Sequence, residues 1–155
     1  MQLFSEIKDK ISRKFNLFKH ISKIQTDLAK VQEALGRIEN RQIQTLSNKN
    51  IQANEFQVFS QWGEDGIIQG LVSEVEIERK IFIEFGVQDY TEANTRFLLI
   101  NNNWSGLVMD SSPENIQYIK QDRIYWRHNL KAECAFIDKD NINELLINNG
   151  MTGDI

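Results

Sequence analysis

The residues best suited to chemistry fall in two short stretches: Glu84-Phe85-Gly86-Val87-Gln88-Asp89, which closes one apolar run, and Asp110, which closes the next. Gly86 lets the backbone come close to a ligand, and amides opening a following helix favour a negatively charged group. Asp110 stands 24 residues after Gly86 (110 less 86) and can accept hydrogen bonds from both hydroxyls of a ribose. In an open α/β sheet ligands sit outside the carboxyl ends of the strands, where both features fall. Together they describe an adenosine-containing ligand. The plainer alternative is that Glu84 and Asp110 cap strand ends in a fold that holds no ligand.

A dinucleotide fingerprint wants G-x-G-x-x-G, so that a pyrophosphate can be admitted. Here Gln88 and Thr91 stand where the second and third glycines belong, which disfavours a nicotinamide cofactor. A methyltransferase site uses the same geometry with an acidic residue before the first glycine, as Glu84 provides, and demands fewer glycines. His128 and Cys134 read as ordinary residues, a strand histidine and a small buried thiol. Two histidines and one cysteine make no cluster at metal-ligand spacing, so no metal is expected, and the lone Cys134 has no internal disulfide partner.

Alternating strands and helices must hold these residues. Ser60 can cap a helix whose apolar face is Ile67, Ile68, Leu71, Val72 and Val75. IFIEF, Ile81–Phe85, is a β-branched and aromatic run that reads as a buried strand. Helix is expected over Glu92–Ile100 and a second strand over Gly106–Asp110. Ser112 and Pro113 open another helix, since proline at the first helical position loses no needed hydrogen bond. A third strand is expected over Ile124–Arg127, a short extra one over Ala135–Ile137, and a last helix from about Asp140 to Asn149, ended by Gly150. Such alternation indicates a parallel sheet wound by right-handed crossovers.

Ahead of this lies a different text. From Leu17 the apolar residues fall at Leu17, Ile21, Ile24, Leu28, Val31, Leu35 and Ile38, the 4-3 spacing of a coiled-coil seam. The flanking positions Phe18, His20, Gln25, Asp27, Gln32 and Ala34 lack regular opposite charges. Self-association through Leu17–Ile38 and docking on another surface both remain open. A second stripe, Leu3, Phe4, Ile7, Ile11, Phe15 and Phe18, is flanked by Lys8, Lys10, Arg13, Lys14, Lys19 and Lys23. Residues 1–23 can thus lie on an anionic membrane surface, or the stripe can pack within an oligomer.

The domains expected are an amphipathic, coiled-coil helix over 1–41, a polar linker over 42–58 and an α/β domain over 59–155. Residues 1–41 hold nine Lys/Arg against five Asp/Glu, and the remainder nine against seventeen, so the net charge of −4 divides into +4 and −8. The acidic balance argues against a general nucleic-acid role. No run approaches the roughly 18 apolar residues of a membrane span, and no signal peptide is legible, so a cytoplasmic place is expected, with membrane-peripheral contact as the variant.

Four stretches, SQWGEDGII (Ser60–Ile68), IFIEFGVQDYTEANTRFLL (Ile81–Leu99), NNWSGLVMD (Asn102–Asp110) and IYWRHNL (Ile124–Leu130), resemble in order the bacterial FkbM-type methyltransferases. They are most similar to a branch found among surface-polysaccharide biosynthesis proteins. The resemblance covers Phe59 to the end. It implies a Rossmann-like core that binds S-adenosylmethionine through Glu84, Phe85, Gly86 and Val87 at the first loop and Asp110 with Ser111 at the second. It also implies transfer of a methyl group to a small-molecule or glycan acceptor. Its SQ-x-G-E-D element is matched by Ser60, Gln61, Gly63, Glu64 and Asp65, which line a pocket or cap a helix. Gln88 departs from the glycine of stricter methyltransferase loops.

Relatives of that family continue beyond the segment matching Thr152–Ile155 into a fourth strand. The chain is therefore expected to carry only the opening half of the core, with the first strand left as an open, aggregation-prone edge in a sheet whose full order is 3-2-1-4-5-7-6. A general base for transfer to a hydroxyl would lie in the other half. No catalytic residue is nominated. The competing reading is a non-catalytic interaction protein in which the coiled coil joins partners and the α/β part is a remnant.

Overall fold

The computed structural model describes residues 2–46 and 50–151, and their side chains except at 2–7, 9 and 46. The chain forms two compact units, Met1–Leu35 and Gly36–Ile155. The first is the leading part of helix α1, Gln2–Leu46. Every described seam residue of that part, Leu17 through Leu35, is exposed, as are Ile11, Phe15 and Phe18. Leu3, Phe4 and Ile7 of the second stripe lie outside the described side chains. Of the stretch expected as a linker, α1 takes residues up to Leu46 and a 3-10 turn takes Ile51–Asn54, with the Asn50 side chain accepting the Gln52 N–H.

The second unit is mixed α/β. After the end of α1 come α2 (Glu64–Glu74), β1 (Ile81–Phe85), α3 (Arg96–Asn102), β2 (Ser105–Asp110), α4 (Pro113–Gln121), α5 (Arg123–Arg127), β3 (Leu130–Cys134) and α6 (Ile142–Asn148). The three strands form one parallel sheet in the order β1-β2-β3, with Ile81 opposite Ser105 and Gly106 opposite Leu130. In β2, Gly106–Asp110 is buried throughout, as befits a central parallel strand covered on both faces. Phe82, Val108 and Ala132 from the strands meet Leu98, Leu99, Ile116, Ile119 and Ile124 from the helices in one core.

The strand reading holds for β1 and β2 but not for the third. Ile124–Arg127 is helix, because the Asp122 carboxylate accepts the Ile124 N–H (3.0 Å) and the His128 N–H closes the turn on the Ile124 carbonyl (3.1 Å). His128 therefore ends α5 instead of lying in a strand. The strand falls at Leu130–Cys134, where Leu130 and Ala132 turn inward and Lys131 outward with the period of two that a pleated strand requires. No strand forms over Ala135–Ile137; the Ala135 N–H adds one bond to the Asp110 carbonyl (3.0 Å) and the ladder stops. Cys134 is exposed, not buried.

A helix start also shifts. α3 begins at Arg96 instead of Glu92, since the Glu84 carboxylate takes the N–H groups of Asn94 and Thr95 and holds that segment as a turn. α4 starts as the sequence indicates, with Pro113 in its first turn and the Ser112 hydroxyl accepting the Asn115 N–H (3.2 Å). No helix among the described residues is long and apolar enough to cross a membrane.

Candidate functional site

The carboxyl ends of β1 and β2 bring the predicted residues together. Directly after β1, Gly86 adopts φ +66, and its N–H donates to the Met109 carbonyl (2.9 Å). A Cβ built on Gly86 meets nothing within 4 Å, so the space in front of this backbone is open. Two residues on, Gln88 has φ +52, and its N–H donates to Asp110 Oδ2 at 2.9 Å. Tyr90, fully buried, has φ +63. Three left-handed residues in five, two of them not glycine, make a strained loop of the kind concentrated at functional sites. Gln88 thus adopts, without being glycine, the left-handed conformation that glycine favours.

Asp110 is almost wholly buried, at 9% exposure. Its Oδ1 accepts the Ser112 N–H (2.9 Å) and the Asn115 side-chain amide (3.0 Å), and its Oδ2 accepts, among the described residues, the Gln88 N–H alone. Burial alone would raise its pKa, but the donors from Ser112, Asn115 and Gln88 outweigh it and hold the carboxyl below its ordinary value. A carboxylate offers about four acceptor positions, so Oδ2 keeps one for a ligand hydroxyl. Ser111 beside it is exposed, as is Phe85, while Val87 is buried in the core.

Glu84 is committed more deeply. Its Oε1 accepts the Asn94 N–H (3.0 Å), and its Oε2 accepts both the Thr95 N–H (3.0 Å) and the Thr95 hydroxyl (2.5 Å). Thr95 Oγ1 also lies 3.1 Å from the buried Tyr90 hydroxyl. Burial foremost pushes the Tyr90 phenol well above its ordinary pKa; Thr95 and Arg96 oppose the rise and the nearby Glu84 charge adds to it. Arg96 donates to the Tyr90 carbonyl (2.6 Å), pairs with Asp122 (3.6 Å) and stands over the rings of Phe59 and Tyr90. Sequence reasoning singled out neither Tyr90, Thr95 nor Arg96, since no periodic signal pairs residues 84, 90 and 95.

Ser60, Gln61, Glu64 and Asp65 form a separate knot. The buried Asp65 carboxylate gathers the N–H groups of Val58 (2.7 Å), Phe59 (2.7 Å) and Ser60 (2.9 Å) on one oxygen, and the Ser60 hydroxyl accepts the Asp65 N–H (3.0 Å). The first-turn bond expected of Ser60 is thus made, although the helix begins only at Glu64. Glu64 accepts the Trp62 N–H (2.7 Å), and Gln61 is exposed. The knot reaches the β1 loop through one backbone bond, Ala93 N–H to the Phe59 carbonyl (3.1 Å). A separate hollow of about 120 Å³ opens at the amino ends of the strands, lined by Gln44, Gln69, Val72, Ser73, Lys80, Asn102 and Trp104.

No protein-family model, curated protein or solved structure matches this chain.

Proposed function

We propose that the α/β unit belongs to a Rossmann-like, S-adenosylmethionine-dependent methyltransferase of the FkbM type, acting on a surface-glycan sugar or precursor. The observation that carries this reading is the pairing of Gly86, left-handed with open space before it, with the ionised Asp110 across the gap between β1 and β2. Gly86 and Val87 supply backbone that a ligand can approach, and the free acceptor position on Asp110 suits a ribose hydroxyl. Glu84 serves the site indirectly, by fixing the 94–95 turn beneath it. When bound, the cofactor supplies a methyl group activated on a sulfonium.

Titration calorimetry of the chain with S-adenosylmethionine is the test. Binding is expected, weakened at least tenfold by Asp110→Asn and absent for NAD. No heat with millimolar S-adenosylmethionine, or binding indifferent to Asp110→Asn, would sink the assignment.

A second reading is favoured by one specific observation: Glu84 and Asp110 give most of their acceptor positions to their own backbone, as strand and turn caps do. On that reading the α/β unit is a non-catalytic remnant carried by an interaction helix. It predicts association of the chain without any cofactor binding.

A further inference from the structure

We infer that the segment Leu17–Ile38 of α1 assembles this chain with further copies of itself into a parallel coiled coil of more than two strands. The six alternating steps of four and three residues select another helix, since only a helix repeats a stripe at that pitch. All seven seam residues are exposed, from Ile21 at 42% to Ile24 at 65%, so their apolar strip of roughly 32 Å is left for a partner. Within the α/β unit, α1 packs by a different face: Gly36 and Asn40 are buried, whereas Ile38 is 48% exposed. A Cβ on Gly36 would run into Val58 Cγ2, which marks the close approach on that side.

The steps assign Ile21, Leu28 and Leu35 to the a positions and Leu17, Ile24, Val31 and Ile38 to the d positions. β-Branched residues at a with leucine at d favour two strands, and leucine at a with isoleucine at d favours three or four. From Ile24 onward the seam carries leucine at both a positions and a β-branched residue at every d position (Ile24, Val31, Ile38), the second pattern with one valine, and only the leading pair Leu17 and Ile21 follows the first. That sorting of shapes survives only in a parallel bundle, where a layers meet a layers and d layers meet d layers.

The flanks agree. With more than two strands each helix has two neighbours, so the buried stripe widens to the flanking positions, which here carry Phe18, Gln25, Gln32, His20 and Ala34. The single charge among them, Asp27, is paired within its own helix to Lys30 at 3.0 Å. Lys10 and Lys14 before the seam, and Gln42 and Thr45 after it, occupy the continuing d and a positions and bound the register. Identical strands match these ends, which is why the occupant is a second copy and not another helix.

Sedimentation equilibrium on the full chain decides the matter. A mass of three or four chains is expected; a monomer or a dimer at high micromolar concentration would overturn the inference. Exchanging the shapes (Ile24→Leu, Leu28→Ile, Val31→Leu, Leu35→Ile, Ile38→Leu) should drop the mass to two chains with unchanged circular dichroism, and an unchanged mass would overturn the shape argument. In a Cys134→Ser background, Lys14→Cys should crosslink copies on mild oxidation. Failure to crosslink would exclude the parallel arrangement.

Discussion

Asp110 shows how one side chain serves fold and site together. Its three donors come from the β1 loop and from the start of α4, so the ionised form ties two loops to the end of β2. Those donors hold its pKa below the ordinary 3.8 despite burial. A carboxyl more acidic in the folded than in the unfolded chain adds stability that is full above the unfolded value and lost as pH falls through the folded one. Between pH 5 and pH 3 the urea midpoint should therefore fall, and Asp110→Asn should flatten that fall, since an amide keeps an acceptor but does not titrate there. An equal slope in both proteins would show that other carboxylates carry the acid dependence. The pair Gly86 and Asp110 was legible because glycine after an apolar run and an acid after the next are local signals. The commitment of Glu84 to Asn94 and Thr95 was not, because a hydrogen bond across ten residues leaves no periodic trace.

Among the elements, the misplaced third strand is the instructive case. Ile124, Tyr125 and Trp126 are the residue types that populate strands, but propensity is weaker than a cap at a helix start. Asp122 stops α4, with its N–H on the Tyr118 and Ile119 carbonyls, and starts α5 through its carboxylate. The true strand, Leu130–Cys134, carries the cleaner inside-outside alternation, and its two charges hid it. If Asp122 is the switch, Asp122→Ala should cost about 1 kcal/mol for the lost cap and somewhat more for the freed Arg96, which is largely buried against it. Arg123→Ala, at an exposed position, should cost almost nothing by the same denaturant titration. Equal losses from both would mean that α5 forms without its cap.

At the scale of the whole molecule, the sheet formed by the described residues has two edges that differ in protection. β3 presents Lys131 and Glu133, which also bond the carbonyl and the side-chain amide of Asn149 at the end of α6, and charges on an edge discourage pairing with another chain. β1 carries one charge, Glu84, which is spent on the turn at 94–95, and its other residues are Ile81, Phe82, Ile83 and Phe85, the last 48% exposed. Among the described residues, β1 pairs only with β2. A short strand of high β-propensity with a free row of backbone donors is a template for intermolecular pairing. An assembly through the α1 seam would raise the local concentration of such edges, so the two surfaces are coupled in their consequences. Ile83 is half-buried, which makes Ile83→Lys a tolerable way to charge the edge. At high concentration the native chain should slowly gain thioflavin-binding aggregates, and Ile83→Lys should lengthen the lag severalfold while leaving the sedimentation mass of the fresh protein unchanged. Lys131→Ala, which bares the other edge, should shorten it. Were Ile83→Lys to leave the lag as it was while a seam-breaking Leu28→Glu abolished aggregation, the α1 seam and not β1 would be the sticky surface of this molecule.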